Sequence, residues 1–373
     1  MKEKTGSAAE CFVLCRRNGV VSYLWFGHMK RNTGVPARAG TCWGKSVMSG
    51  RGDVMESATN RRAFIRTASG GVLGLGLAGG ALLTPREGDC AREKVTVAVV
   101  RNTKAVSERN VCDAKQAALT IETALAAVTG KQTAKEAWAA LGVTKDDIVG
   151  IKVNCNAAGY FLYVHPELAY ALAESLSAVV PPGSIIIYER STQELSRAGY
   201  RPNTNGPGVR CYGTGDGGGF HPQEGLTRIV TDRCTKLINM PSLKAFEGEF
   251  AGSLFLKNHI GSLPPAEMSR CHGNAVFCTQ VCSRPSIKNK TVLAVCDGLR
   301  GTFQRSEPWY WGGIIMSRDQ VAAEYTALQV INEKRRSENM QPYELPSYVK
   351  AAETAYRLGT CTPANINTVR MEM

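Results

Sequence analysis

Ile148-Val-Gly-Ile-Lys-Val153 is an apolar run broken by one lysine, and it stops at Asn154-Cys-Asn156. A short apolar run bounded by polar residues is the pattern of a strand covered on both faces, as in a parallel sheet. Ser184-Ile-Ile-Ile-Tyr188 repeats the pattern and ends at Glu189-Arg-Ser191. Between the two, His165-Pro-Glu167 opens a helix, with proline in its first turn and an acid at the positive end of its dipole. Strand, helix and strand in that order predict a βαβ unit.

The alternation continues on either side. Strands are expected at Val95–Val100, Lys236–Asn239, Thr291–Cys296 and Gly313–Met316. Helices are expected at Asp113–Val128, Ala134–Leu141, Asp319–Arg335 and Ser347–Leu358, while residues 200–225 read as an irregular surface excursion. The fold class is therefore α/β: a mostly parallel sheet covered by helices on both faces, forming a single mature domain over residues 90–373. No internal repeat or coiled coil is apparent.

In an open α/β sheet, ligands bind beyond the carboxyl ends of the strands. The residues just past each strand therefore carry the most information about a site. A fully parallel sheet would bring to one edge the acids Glu189, Asp297 and Asp319, the cation Lys244, and the polar neutrals Asn154 and Ser191. Taken singly, each is a common helix cap or turn former; their convergence carries the hypothesis. Lys152, inside an apolar strand, calls for an acidic partner, Glu189 or Asp297, with a ligand-binding role second.

Lys257, Asn258 and His259 lie together before Gly261, and His259 is the best single candidate for acid–base or metal chemistry. Lys257, His259, Lys244 and Glu189 are the candidate catalytic residues. Asn154, Ser191, Asn258 and Lys152 are the candidate ligand-binding residues, and Asp297, His259, Cys271 and His272 the candidate metal ligands. Tyr212-Gly-Thr-Gly-Asp-Gly-Gly-Gly-Phe-His221 suits phosphate in composition, but it lacks the strand-to-helix context and reads as a surface loop. The aromatics of Glu307-Pro-Trp-Tyr-Trp311 either roof the site or pack on the sheet.

The formal net charge is +13 in 373 residues. Residues 1–90 hold 13 Lys and Arg against 6 Asp and Glu, and the remaining excess is dispersed without an aromatic-interleaved basic stripe. Nucleic acid is a poor partner on that distribution. Arg61-Arg62, followed by Phe64-Ile65 and Arg66, is a twin-arginine signature, and Gly70–Leu83 is a Gly- and Ala-rich uncharged stretch too short to span a bilayer. The segment 55–89 is accordingly expected to be a twin-arginine signal peptide, with Met55 or Met48 as the start. Residues 1–54 are expected to be a non-native or disordered extension. The translocase is then the partner during export, the protein is periplasmic or extracytoplasmic, and the membrane is met only through the signal.

Ten of the 13 cysteines lie at or beyond Cys90, none in a CxxC pair. In an oxidising compartment the expectation is one or two disulfides plus buried thiols. Cys271, His272, Cys278 and Cys282 could alternatively make a soft-metal or iron–sulfur site, with a metal ion the expected cofactor ahead of a cluster.

The segments 146–156, 188–191, 237–244 (LINMPSLK), 256–262, 295–298 and 312–322 resemble, in this order, the domain-of-unknown-function 362 family over residues 94–335. The resemblance implies an α/β fold and, in many members, a twin-arginine signal. Some members carry a ferredoxin-type iron–sulfur module, whose repeated cysteine pattern is missing here. Members often have a histidine shortly after the lysine of the LINMPSLK-type motif; here Lys244-Ala-Phe-Glu247 has none. The expected function is a metal- or cofactor-dependent enzyme acting on a small anionic substrate. The alternative is a non-catalytic binding or assembly protein.

Overall fold

The computed structural model describes residues 93–160, 162–305 and 307–373, and before them only the backbone of a short antiparallel pair, β1 (Cys15–Arg17) and β2 (Val20–Ser22). The rest of the expected extension at 1–54, the expected export segment at 55–89 and Cys90 lie outside the described residues.

The main unit is built on one large sheet. Its strands are β3 (Val95–Arg101), β4 (Val149–Lys152), β5 (Ile185–Glu189), β6 (Arg210–Gly213), β7 (Lys236–Asn239), β8 (Ser242–Lys244), β9 (Thr291–Gln304), β10 (Glu307–Trp309), β11 (Gly313–Ser317) and β12 (Ile366–Glu372). Their order across the sheet is β12-β3-β11-β9-β7-β4-β5-β6, with β8 and β10 also pairing with β9. From β9 to β6 the neighbours along that order are all parallel. The interior reflects the residue types: β4 and β5 are buried along their whole length, so their isoleucines need apolar cover on both faces.

One face packs on α1 (Ala114–Thr129), α2 (Ala134–Ala140) and α3 (Pro166–Leu176), through Ile121, Leu125, Trp138, Leu168 and Leu172. The other face meets α5 (Phe255–Asn258), α7 (Val276–Cys282), α9 (Gln320–Ser337) and α10 (Ser347–Thr354). The short helices α4 (Thr192–Arg197), α6 (Pro265–Met268) and α8 (Pro285–Lys288) complete the set. Among the described residues no helix is long and apolar enough to cross a membrane.

The α/β, mostly parallel architecture agrees with the sequence reading. Two strands depart from it: β11 runs antiparallel to both β9 and β3, and the short β10 antiparallel to β9. Residues 305–312 link the end of β9 to β11, and part of that link is β10, folded back on β9. A parallel return needs a crossover of a dozen or more residues, so this link permits only a reversal. Ser317 and Asp319 therefore sit at the opposite edge of the sheet from Glu189. Trp311 packs on Gly298, where a β-carbon would collide with its indole, so this aromatic covers the sheet and roofs no site. β6 forms within the expected excursion, β9 extends to Gln304, and β8, β10 and β12 add to the expected set.

Candidate functional site

From β4 the chain steps outward to β5 and β6, then returns to place β7 on the other side of β4. Such a reversal parts the segments that leave the two strands and opens a crevice at their carboxyl ends. A cleft of about 450 Å³ lies there. Asn154 and Asn156 come just after β4, Glu189 ends β5, Lys244 ends β8, Thr302 lies late in β9, and Lys257 and Asn258 end α5. Phe246, Ile260 and Met268 give it an apolar wall. Of the residues singled out from sequence, Asn154, Glu189, Lys244, Lys257, Asn258, Cys271 and His272 line the cleft.

Lys244 is 7% exposed. Its ammonium donates to the Asn154 side-chain oxygen and, at 3.1 Å, to that of Asn156. Both acceptors are neutral, and among the described residues no carboxylate pairs with Lys244 or with Lys257. Burial, against weaker opposing charges, lowers the Lys244 ammonium to about 8. The Lys257 ammonium lies over the rings of Phe246 and Phe250, 4.1 and 3.8 Å from their centroids, and burial lowers its pKa too.

Among the described residues, the one acid lining the cleft is already matched. Lys152 Nζ donates to Glu189 Oε1 at 3.3 Å and to the Val153 carbonyl at 2.7 Å, both side chains being buried. The Arg190 amide donates to the other Glu189 oxygen. Burial raises the Glu189 pKa, opposed by Lys152. Lys152 thus takes the first of its two expected partners. Gly261 makes room for this pair, since a β-carbon there would lie 3.1 Å from Lys152 Nζ. Arg190 is held by Glu194 one helical turn away. Asn258 is a strut: its amide donates to the Lys152 carbonyl and to Asn239 Oδ1, both at 2.9 Å.

Besides the buried Lys152, four expected members lie off the cleft. His259 is fully buried, with Nδ1 3.3 Å from Ser262 Oγ and Nε2 unpartnered among the described residues. Burial, helped by Lys152, lowers its pKa to about 3, so it is a neutral ring that does not reach the cleft. Ser191 caps α4 through the Glu194 amide, and Asp319 caps α9. Asp297 shares a face of β9 with Val295 and Leu299, beneath α3. There it accepts from the His165 amide at 2.6 Å and lies 2.7 Å from His165 Nδ1. Burial works against protonation of this imidazole, but Asp297 prevails and raises its pKa. Sequence reasoning misses that pair, because there His165 reads only as a helix start.

Asp297, His259, Cys271 and His272 therefore do not converge, and among the described residues no group of three or more His, Cys, Asp or Glu side chains is placed to hold a metal ion. The donor set does not fit a metal centre. The nine described cysteines, from Cys112 to Cys361, are all free thiols, which departs from the disulfide expectation. Lys152 is buried, is paired with Glu189 and does not line the cleft.

The fold and the cleft define an α/β protein with a crevice at the reversal point of its sheet. Residues 149–329 match the family model described as Domain of unknown function (DUF362), a span narrower than the resemblance at 94–335 but one containing every residue that lines the cleft. No curated protein and no solved structure matches the chain.

Proposed function

We propose that this protein is an exported enzyme that acts on a small anionic substrate in the cleft at the carboxyl ends of β4, β5 and β8. The observation that carries the reading is Lys244, nearly buried yet hydrogen-bonded only to neutral amide oxygens. A buried cation without a counter-ion is costly, and a ligand carboxylate or phosphate at Nζ would offset that cost. Lys257 supplies a second cation, and its aromatic seat fixes the direction of approach.

In this reading Lys244 holds the anionic group and stabilises negative charge that develops beside it, in a site where water competes poorly. Its depressed pKa also suits proton transfer near neutral pH. Asn154 and Asn156 orient it, and Phe246, Ile260 and Met268 receive the apolar part of the substrate. Glu189, fixed by Lys152, keeps its carboxylate at the cleft wall. His259 has no role at the substrate.

The test is thermal stabilisation by inorganic phosphate, succinate and citrate. At least one should raise the melting temperature of the wild-type chain and leave Lys244→Met unshifted; equal shifts in both would sink the reading. Export rests on Arg61-Arg62 and the Gly-rich stretch after them. Replacing both arginines with lysine should retain the protein in the cytoplasm, and unchanged secretion would contradict the route.

A further inference from the structure

The cleft has a depth axis, set by two strands. Lys244 ends β8, and Arg305 follows the end of β9; both line the cleft. β8 runs parallel to β9 with Lys244 opposite Thr302, and the Ala245 amide donates to the Thr302 carbonyl at 3.1 Å and to its hydroxyl at 3.0 Å. Both chains therefore leave this level in the same direction. Along β9 that direction is outward: Thr302 is buried, Gln304 half-buried and Arg305 exposed. Three residues of extended chain span about 10 Å, so Lys244 marks the floor of the cleft and Arg305 its rim. Phe246 lies two residues outward of Lys244, and the Lys257 ammonium is 4.1 Å from the centroid of its ring.

Charge is uncompensated at both ends of that axis. Of the lysines and arginines lining the cleft, Arg190 is held by Glu194. Among the described residues no carboxylate pairs with Lys244, Lys257 or Arg305. Glu189, the acid of the lining, is matched by Lys152 and offsets none of them. A compact anion with a single charge, held at Lys244, would leave the rim cation to water.

We propose that the substrate carries two anionic groups joined by a short apolar segment, and that Arg305 is the residue that selects for the second. The inference rests on the anion reading of Lys244 and deepens it. The inner anionic group meets the Lys244 ammonium at the floor. The segment between the charges lies along the apolar wall of Phe246, Ile260 and Met268. The outer group is received at the rim by the Arg305 guanidinium, a planar fork that matches a carboxylate or phosphate in two parallel hydrogen bonds. Lys257, seated on Phe246 and Phe250, adds positive potential to the same approach.

Adipate and hexanoate have the same carbon number and differ in the second carboxylate, so their affinities for the full chain, measured by calorimetry at neutral pH and fixed ionic strength, isolate the outer group. The unaltered chain should bind adipate about fivefold tighter than hexanoate, or more. In Arg305→Gln the ratio of the two affinities should fall to about one, and Arg305→Lys should keep part of the preference. Each ratio is taken within one variant, so a general loss of folded protein cancels. Lys244→Met should weaken both probes. Equal affinities in the unaltered chain, both lost in Lys244→Met, would leave the anion reading standing and overturn the two-anion substrate. A preference for adipate that survives Arg305→Gln would overturn the role of Arg305. Binding of neither probe, or binding indifferent to Lys244→Met, would overturn both.

Discussion

The two edges of the sheet each hold a cavity with charged walls, and they differ in what those charges face. At the amino end of β3 a cavity of about 520 Å³ is lined by Glu93, Asp319, Glu353, Arg357 and Thr360. Asp319 accepts from the amides of Val321, Ala322 and Thr360, and Glu353 from the Cys361 amide and the hydroxyls of Thr360 and Thr362. These acids join α9 and α10 to the chain that leads into β12. At the carboxyl end the smaller cleft of about 450 Å³ holds Lys244 and Lys257, whose partners are amide oxygens and aromatic rings. Charge compensation, and not volume, separates a structural cavity from a candidate binding site.

The largest expected effect concerns the matched charge beside the cleft. Lys152→Met leaves Glu189 buried and unpaired, which should cost about 3–5 kcal/mol of unfolding free energy in urea titrations. Adding Glu189→Gln should recover most of that loss; no recovery would mean that the pair is not what Lys152 supports. Next comes the unmatched cation. Lys244→Met removes a charge-assisted hydrogen bond to a bound anion, about 1.5–3 kcal/mol, and should weaken citrate or phosphate affinity by roughly 10–100-fold while leaving stability unchanged or slightly raised. A large stability loss with intact affinity would reverse the assignments of the two edges. The smallest effect belongs to the opposite edge. Asp319→Ala removes an α9 cap, for about 1 kcal/mol of stability, and calorimetry should find anion binding unaltered.

Much of this arrangement is legible in the sequence because buried parallel strands leave a crude signature: apolar runs ending abruptly in polar side chains. Lys152 within such a run requires an acid, and Glu189 provides it. The turn of β11 against the sheet is obscured because β9 continues past Cys296 through a stretch containing Asp297, Gly298 and Gly301, which reads as a strand end. Once β9 is extended to Gln304, the remaining link is too short for a crossover. Parity would have placed Asp297 correctly, since it alternates in step with Val295 and Leu299 toward the helices α1 and α3. His259 is not decidable that way: it opens the tight turn His259–Ser262, where a small change in backbone angle decides between cleft and interior.

The central claim is that a protonated Lys244 meets an anion in the cleft. Citrate affinity measured by calorimetry from about pH 7 to pH 10 tests it most directly, because citrate is already fully ionised and Lys244 titrates near 8. Above that value the free amine must be reprotonated for the anion to bind, so affinity should fall by up to about tenfold per pH unit, and the fall should vanish in Lys244→Met. Citrate affinity that stays level across the range, or falls equally in the variant, would contradict the account.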